Sequence, residues 1–251
     1  MYISTKDWME FVRKLSGINE AAANKVRAYV AKHGFADTAK LIEYCYQVAE
    51  RYGTASASYA ALMYDTISEM EGAAVASAEM AAGIEYSEVA KTVNGTLKVS
   101  QNPDSIAGSV ARLVKREGQD TLLNNAIRDG AQFAWIPSGD SCAFCAMIAS
   151  NGWQYASKDA LNGGHADHIH ANCNCTYMIR HSPKTNVRGY DPSEYRRMYS
   201  EADGHGWRQK VNAMRREHYA ENADEINAQK REAYAQRMQP RTESFTEETD
   251  G

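Results

Sequence analysis

The sequence predicts a mainly α protein, with a helical N-terminal bundle, a small α+β module towards the C-terminal side, and further helices after it. Three observations support this prediction. Apolar residues recur at helical spacing through the first 90 residues. Periodicity fades between Trp135 and Arg180, where Gly, Asn, His and Cys become frequent. Beyond this stretch, Asp191-Pro192 opens a new helical pattern.

Length and composition allow a large buried core. The chain has 251 residues, of which 43% are hydrophobic and 24% are charged. No apolar run approaches the roughly 20 residues that a membrane span needs. The N-terminal stretch MYISTKDWMEFVRKL contains acidic residues and lacks a continuous apolar region, so no secretory signal is predicted. We therefore expect a cytoplasmic protein, or one in a particle assembled there, where thiols stay reduced.

Residues 1–90 are predicted to form the helical N-terminal region. Glycines that interrupt the apolar stripes are interpreted as helix breaks; they are Gly17, Gly34, Gly53 and Gly72. The stripes comprise Trp8, Phe11, Val12 and Leu15, then Leu41, Cys45, Val48 and Tyr52, and finally Tyr59, Leu62, Met63, Ile67 and Met70. Because a free cysteine packs as a small hydrophobe, Cys45 is predicted to be a core residue.

Residues 91–134 are predicted to contain a hairpin or loop followed by helices. Asn94-Gly95 lies between short alternating runs in KTVNGTLKV, which is a hairpin signal. A helix should then begin at Pro103, since Asn102 can cap it and Asp104 suits its positive end. A second helix is expected to carry Leu122, Leu123, Ile127 and Phe133.

Residues 182–241 are predicted to form C-terminal helices, and residues 242–251 an acidic, disordered tail. Asp191 should cap the first of these helices, and a later one carries Trp207, Val211, Met214 and His218 on one stripe. Residues 176–241 contain 13 Lys and Arg against 9 Asp and Glu, although the whole chain has a net charge of −4. This local excess favours contact with nucleic acid only weakly.

Four of the five cysteines lie in one short window, residues 135–181. Cys142 and Cys145 form a C-x-x-C pair, and His170, Cys173 and Cys175 follow as H-x-x-C-x-C. Thiolates and imidazoles in two such clusters are typical ligands of tetrahedral zinc. The sequence therefore predicts a zinc knuckle in this α+β module. Five candidates compete for four positions, and a C-x-C pair is tight for double ligation, so the ligand set stays open. Buried or disulfide-bonded cysteines are the alternative.

A closed zinc site is structural, because catalysis requires an open coordination position and a general base. The stretch ADHIH, residues 166–170, is similar to the Asp-His core of the HNH nucleases, in which His168 would be the base. That motif normally continues with an Asn and a further His, for which only Asn186 and His181 are available. No P-loop, dinucleotide fingerprint or nucleophile elbow is present. The sequence thus predicts no catalytic residues, with an HNH-like nuclease or a DNA-binding module as the alternative.

The cysteine window resembles the C-terminal signature of the phage Mu F-like minor head proteins. That signature is a glycine turn, C-x-F-C, an apolar stretch, a Gly and a Tyr, and a closing His-x-x-Cys-x-Cys-Thr. Upstream, RYGTASASYAALMYDTI resembles the family's Ala-rich helix, so the resemblance covers about residues 38–180. Asn174, Thr66 and Ile67 depart from the family's usual residues. The matching positions are Gly139, Cys142, Phe144, Cys145, Met147, Ile148, Gly152, Tyr155, His170, Cys173, Cys175 and Thr176.

The resemblance implies a minor head protein of a tailed phage. Such a protein is present in few copies inside the capsid near the portal, and assists head assembly or DNA delivery. Its expected partners are the portal protein, the major capsid protein or both. Packaged DNA is a further candidate partner, and no contact with a membrane is expected. The expected cofactor is a structural Zn²⁺.

Overall fold

The computed structural model describes residues 1–138, 142–157 and 175–238. The chain divides into two compact units, Met1–Glu201 and Ala202–Gly251. Helices dominate both units, so the mainly α prediction is confirmed. The predicted tail, residues 242–251, lies outside the described residues.

Two long helices form the N-terminal part of the first unit. Helix α1, Thr5–His33, is capped by Ser4, which accepts a 3.1 Å bond from the Asp7 amide. Helix α2, Thr38–Glu71, is capped by Asp37. Each of the two helices ends at a glycine with positive φ, as predicted. These are Gly34 and Gly72.

The other two glycines of this region do not break a helix. Gly17 lies inside α1 and Gly53 inside α2, so the two predicted breaks are wrong. An interior glycine costs a helix about 1 kcal/mol relative to alanine. The continuous apolar stripes on either side of each glycine offset this cost by packing. Cys45 is fully buried in α2, which confirms its prediction as a core residue, and burial raises the pKa of its thiol to about 12.

The predicted hairpin is helical instead. Helix α3, Tyr86–Val99, contains the Asn94-Gly95 step in its interior. Val89 and Val93 are fully buried at helical spacing and join the core formed with α1, α2 and the next helix. An isolated two-stranded hairpin has little stability of its own, so burial of this apolar face decides the conformation.

Helix α4, Pro103–Arg128, is the centre of the first unit and contacts α1, α2 and α3. Its start is as predicted, because the Asn102 side chain accepts a 2.9 Å bond from the Asp104 amide. The predicted second helix does not exist separately. The helix continues without a break to Arg128, and Phe133 lies in the strand that follows.

A small antiparallel sheet follows α4, in the order β3-β2-β4 among the described residues. Its strands are β2, Gln132–Ile136, β3, Gln154–Tyr155, and β4, Thr176–Arg180. Helix α5, Ala143–Ala149, lies between β2 and β3 in the chain, and β4 also contacts α4. This arrangement provides the α+β module that the sequence predicted.

The first unit closes with a strand pair and a short helix. Strand β1, Tyr2–Ile3, pairs in parallel with β5, Asn186–Val187. Helix α6, Pro192–Glu201, packs against α5, and the Asp191 side chain caps it by accepting a 2.9 Å bond from the Ser193 amide. The predicted cap is therefore confirmed, and residues 182–201 belong to the first unit.

The second unit contains two described helices, α7, Trp207–Glu221, and α8, Ala223–Met238. Val211 and Met214 of the predicted stripe are buried. Trp207 of the same stripe is 41% exposed. Few apolar side chains are therefore buried among those that the structure describes in this unit.

Candidate functional site

The β2–β4 ladder brings the two halves of the cysteine window together. Its register pairs Ile136, the last residue of β2, with Thr176, the first residue of β4. Cys175 immediately precedes β4, and Pro137-Ser138 immediately follows β2. Ser138, which precedes the first cysteine pair in the chain, and Cys175, the last residue of the second cluster, therefore lie at the same end of the sheet.

The first cysteine pair lies at the start of α5. Cys142 is the N-cap residue of this helix, with extended backbone, and it is partly exposed. Cys145 lies one turn further into the helix and is buried. The C-x-x-C pair therefore spans the start of the helix. Such a short spacing is typical of cysteine pairs that bind one zinc ion.

The second segment contributes Cys175, which is only 1% exposed. The main-chain N–H of Ser138 donates a hydrogen bond to Cys175 Sγ at 3.4 Å. An amide that donates to a sulfur fixes the orientation of the cysteine side chain. Ser138 is not among the residues that the sequence patterns indicate; only its position after Pro137 in the chain could have pointed to this contact.

The described cysteines do not form a complete metal site by themselves. Among residues 1–138, 142–157 and 175–238, no group of three or more His, Cys, Asp or Glu side chains is placed to hold a metal ion. His170 and Cys173, the other predicted ligands, lie outside the described residues. The thiol donors Cys142, Cys145 and Cys175 suit zinc chemically.

Aromatic side chains pack on the sheet beside this site. Trp135 and Tyr177, which are paired across β2 and β4, make an edge-to-face contact with ring centroids 4.8 Å apart. Burial raises the pKa of the Tyr177 hydroxyl, and the nearby charges of Asp120 and Cys145 raise it further. The sheet next to the cysteines is therefore a packed apolar layer that keeps this tyrosine neutral.

Two residues that the nuclease alternative would need have other contacts. His181 Nε2 lies 2.8 Å from Ser68 Oγ on α2, and the His181 ring packs edge-on against Tyr64. The Asn186 side chain accepts a 3.2 Å bond from Trp153 Nε1. Both residues thus join β4 and β5 to neighbouring elements. His168 and Asp167 lie outside the described residues.

Comparison with known proteins gives one family match. A family model described as VG15 protein matches residues 2–202 of the 251-residue chain. The matched range covers the helical bundle, the sheet and the described cysteines. No curated protein and no solved structure matches. Within the described ranges, every helix is too short or too polar to cross a membrane.

Proposed function

We propose that this chain, which belongs to the VG15 protein family, is a minor head protein of a tailed phage. The family assignment itself indicates a phage protein. The narrower role rests on the Mu F-like signature between residues 135 and 180. In this role the protein is present in few copies inside the capsid near the portal, where it assists head assembly or DNA delivery.

Within this role the protein acts as a scaffold and not as an enzyme. The observation that supports this proposal is the position of Cys175 at the end of the β2–β4 ladder, where it accepts a hydrogen bond from Ser138, four residues before Cys142. Cys142, Cys145 and Cys175, with His170 and Cys173, would supply the ligands of a structural zinc. The metal would cross-link the start of α5 to the start of β4, because each segment contributes ligands. Folding would then be coupled to metal binding.

The second unit, Ala202–Gly251, is the proposed docking element for the portal or the capsid lining. The few buried apolar side chains among its described residues support this role, because helices that bury little apolar surface gain stability from a partner. DNA is the weaker candidate. Nonspecific DNA binding normally requires a denser patch of positive charge than this region provides.

The experiment that tests the role is quantitative mass spectrometry of purified phage particles. We expect the protein in mature heads at a copy number comparable to that of the portal protein, and far below that of the major capsid protein. The same measurement on particles that have released their DNA distinguishes a protein that stays in the head from one that leaves with the genome. A protein found only in the infected-cell lysate, and never in particles, would contradict the proposal.

A further inference from the structure

The segment between α2 and α3 lies across the bundle without regular secondary structure. Its residues 76–83, with the sequence ASAEMAAG, are called the strap below. None of these eight described residues is buried, so polar contacts and not apolar packing hold the strap in place. Gly72 precedes it with a φ of 64°, and Gly83 ends it with a φ of 92°. Both values favour glycine, because other residues rarely adopt a positive φ.

Alternate main-chain N–H groups of the strap donate hydrogen bonds to side chains of α4. The acceptors are spaced four residues apart along the helix, and the donors two residues apart along the strap. The pairs are Glu79 with Asn125 Oδ1 at 2.9 Å, Ala81 with Thr121 Oγ1 at 3.0 Å, and Gly83 with Glu117 Oε1 at 2.8 Å. The strap therefore runs antiparallel to α4.

The two spacings match for a geometric reason. Two residues of extended chain span about 6.6 Å. Four residues of α-helix rise about 6 Å. A row of acceptors at every fourth helix position therefore stays in register with the amides of an extended chain over several residues. This row, Glu117, Thr121 and Asn125, is called the acceptor row.

Further contacts also go to the main chain of the strap. Asn125 Nδ2 donates to the Glu79 carbonyl at 2.8 Å, so the Asn125 side chain bonds both the main-chain N–H and the carbonyl of Glu79. The Ala78 amide donates to Asp65 Oδ1 of α2 at 2.7 Å. Arg128 donates to the carbonyls of Ser77 and Ala76. The bundle thus holds the strap almost entirely through main-chain atoms.

Hydrogen bonds within α4 orient two side chains of the acceptor row. The Thr121 hydroxyl donates to the Glu117 carbonyl at 2.9 Å, which leaves its lone pairs for the strap. Asn125 Nδ2 also donates to the Thr121 carbonyl at 2.7 Å, which fixes its amide orientation. Both side chains are buried. This burial is that of the closed state, in which an acceptor without a donor would be costly and the strap amides supply the donors.

We propose that the acceptor row of α4 is a binding site for an extended polypeptide backbone, and that the strap is its internal ligand. The ligand is a peptide with small side chains. The site binds its main chain, through the N–H groups of alternate residues and through one carbonyl group. When the strap opens about Gly72 and Gly83, a segment of the same chemistry from another chain can take its place. This inference does not depend on the phage role proposed above.

A matched pair of proline variants tests the site. Glu79→Pro with Ala81→Pro removes two N–H donors that bind the acceptor row. Met80→Pro with Ala82→Pro places the same number of prolines one residue out of register. Among the described residues no hydrogen bond from the amides of Met80 and Ala82 is seen. The first variant should vacate the site, and the second should leave the strap in place.

Binding is measured by fluorescence anisotropy with a labelled peptide of sequence ASAEMAAG. The Glu79→Pro, Ala81→Pro variant should bind the peptide at least about tenfold more tightly than the unmodified chain or the out-of-register variant. A scrambled peptide should bind equally well, and a peptide N-methylated at the residues matching Glu79 and Ala81 should not bind. A variant with a native circular dichroism spectrum that binds no peptide, or binding that requires the native order of side chains, overturns the proposal.

Hydrogen exchange on the unmodified full chain provides a test that does not depend on any variant folding. The amides of Glu79, Ala81 and Gly83 should exchange through a local opening, at least about tenfold faster than the interior amides of α4. Asn125→Ala should accelerate their exchange, whereas the exposed control Asn124→Ala should not. Strap amides that exchange at the same rate as the α4 interior would show that the strap cannot leave by itself, and would overturn the proposal.

Discussion

Gly118 of α4 lies so close to Ser56 of α2 that a Cβ atom on residue 118 would stand 2.5 Å from Ser56 Oγ and 3.2 Å from its carbonyl oxygen. The second of these atoms belongs to the main chain and cannot rotate away. The absence of a side chain at position 118 thus sets the distance between the two helices. This contact lies between the residues of α4 that hold the strap.

The first prediction concerns this close approach. Gly118→Ala should lower the free energy of unfolding by about 1–3 kcal/mol, since the two helices must separate. Gly17→Ala is the control, because a Cβ at position 17 meets nothing within 4 Å. Gly17→Ala should raise stability by up to about 1 kcal/mol through helix propensity. Urea denaturation measures both changes, and an unchanged stability for Gly118→Ala would refute the prediction.

The second prediction concerns the pH dependence of stability. The Arg128 side chain and the Tyr64 hydroxyl both bond Asp129, and they lower the pKa of its carboxyl below the usual value. The ionised form is therefore favoured in the folded chain. This contribution to stability is fully present above the unfolded-state pKa of about 4, and it is lost as pH falls through the lower folded pKa.

Asp129→Asn should therefore destabilise the protein by about 1.5–3 kcal/mol at pH 7, the magnitude typical of hydrogen bonds to a charged group. The difference from the unmodified chain should shrink below about pH 4. Asp104→Asn is the control; its ion pair with Arg27 is solvent-exposed and should contribute about 1 kcal/mol or less. Urea titrations at several pH values measure both differences. A destabilisation by Asp129→Asn that persists undiminished at pH 3 would contradict the proposed role of the charge.

The third prediction concerns the proposed zinc. The purified protein should carry about one zinc per chain under reducing conditions. Cys145→Ser should lose the metal and at least about 3 kcal/mol of folding free energy, because metal binding is coupled to folding. Cys45→Ser should keep the metal, since Cys45 lies in the apolar core. Elemental analysis and thermal unfolding with and without chelator are the measurements. Protein with no zinc and with all thiols reactive would rule the site out.

The fourth prediction concerns the second unit. Deletion of residues 202–251 should leave the first unit folded, since residues 186–187 and α6 remain with their partners β1 and α5. Incorporation of the truncated protein into heads should fall at least about tenfold if this unit docks to the portal or capsid. Quantitative mass spectrometry of particles measures incorporation. Unchanged incorporation would reject the docking role.

The fifth prediction separates the structural role from the nuclease alternative. The purified protein should not nick supercoiled plasmid with Mg²⁺, Mn²⁺ or Zn²⁺. His168→Ala is the informative variant because His168 is the base that an HNH mechanism would use. Nicking by the unmodified protein that His168→Ala abolishes would establish the nuclease and displace the structural proposal.

The sequence by itself determined the helical class and several of the element ends. Helix caps could be predicted because capping is a local interaction between neighbouring residues. Examples are the start of α4 at Asn102-Pro103-Asp104 and the Asp191 cap of α6. The glycine ends of α1 and α2 were readable for the same reason. The cysteine spacing marked the candidate site, and the β2–β4 register places Cys175 at the end of the sheet where β2 leads towards the first cysteine pair.

Only the tertiary structure decided whether locally ambiguous segments became helix or hairpin. Asn94-Gly95 favours a turn locally, but burial of Val89 and Val93 against the neighbouring helices makes the segment helical. Hydrophobic periodicity could not predict the acceptor row. Polar residues at helical spacing look like a solvent-exposed face until the segment that covers them is known. The hydrogen bonds of the acceptor row involve a segment about 40 residues earlier in the chain, for example Ala81 bonding Thr121. Local propensity cannot encode such a contact, because it exists only once packing has placed the two segments side by side.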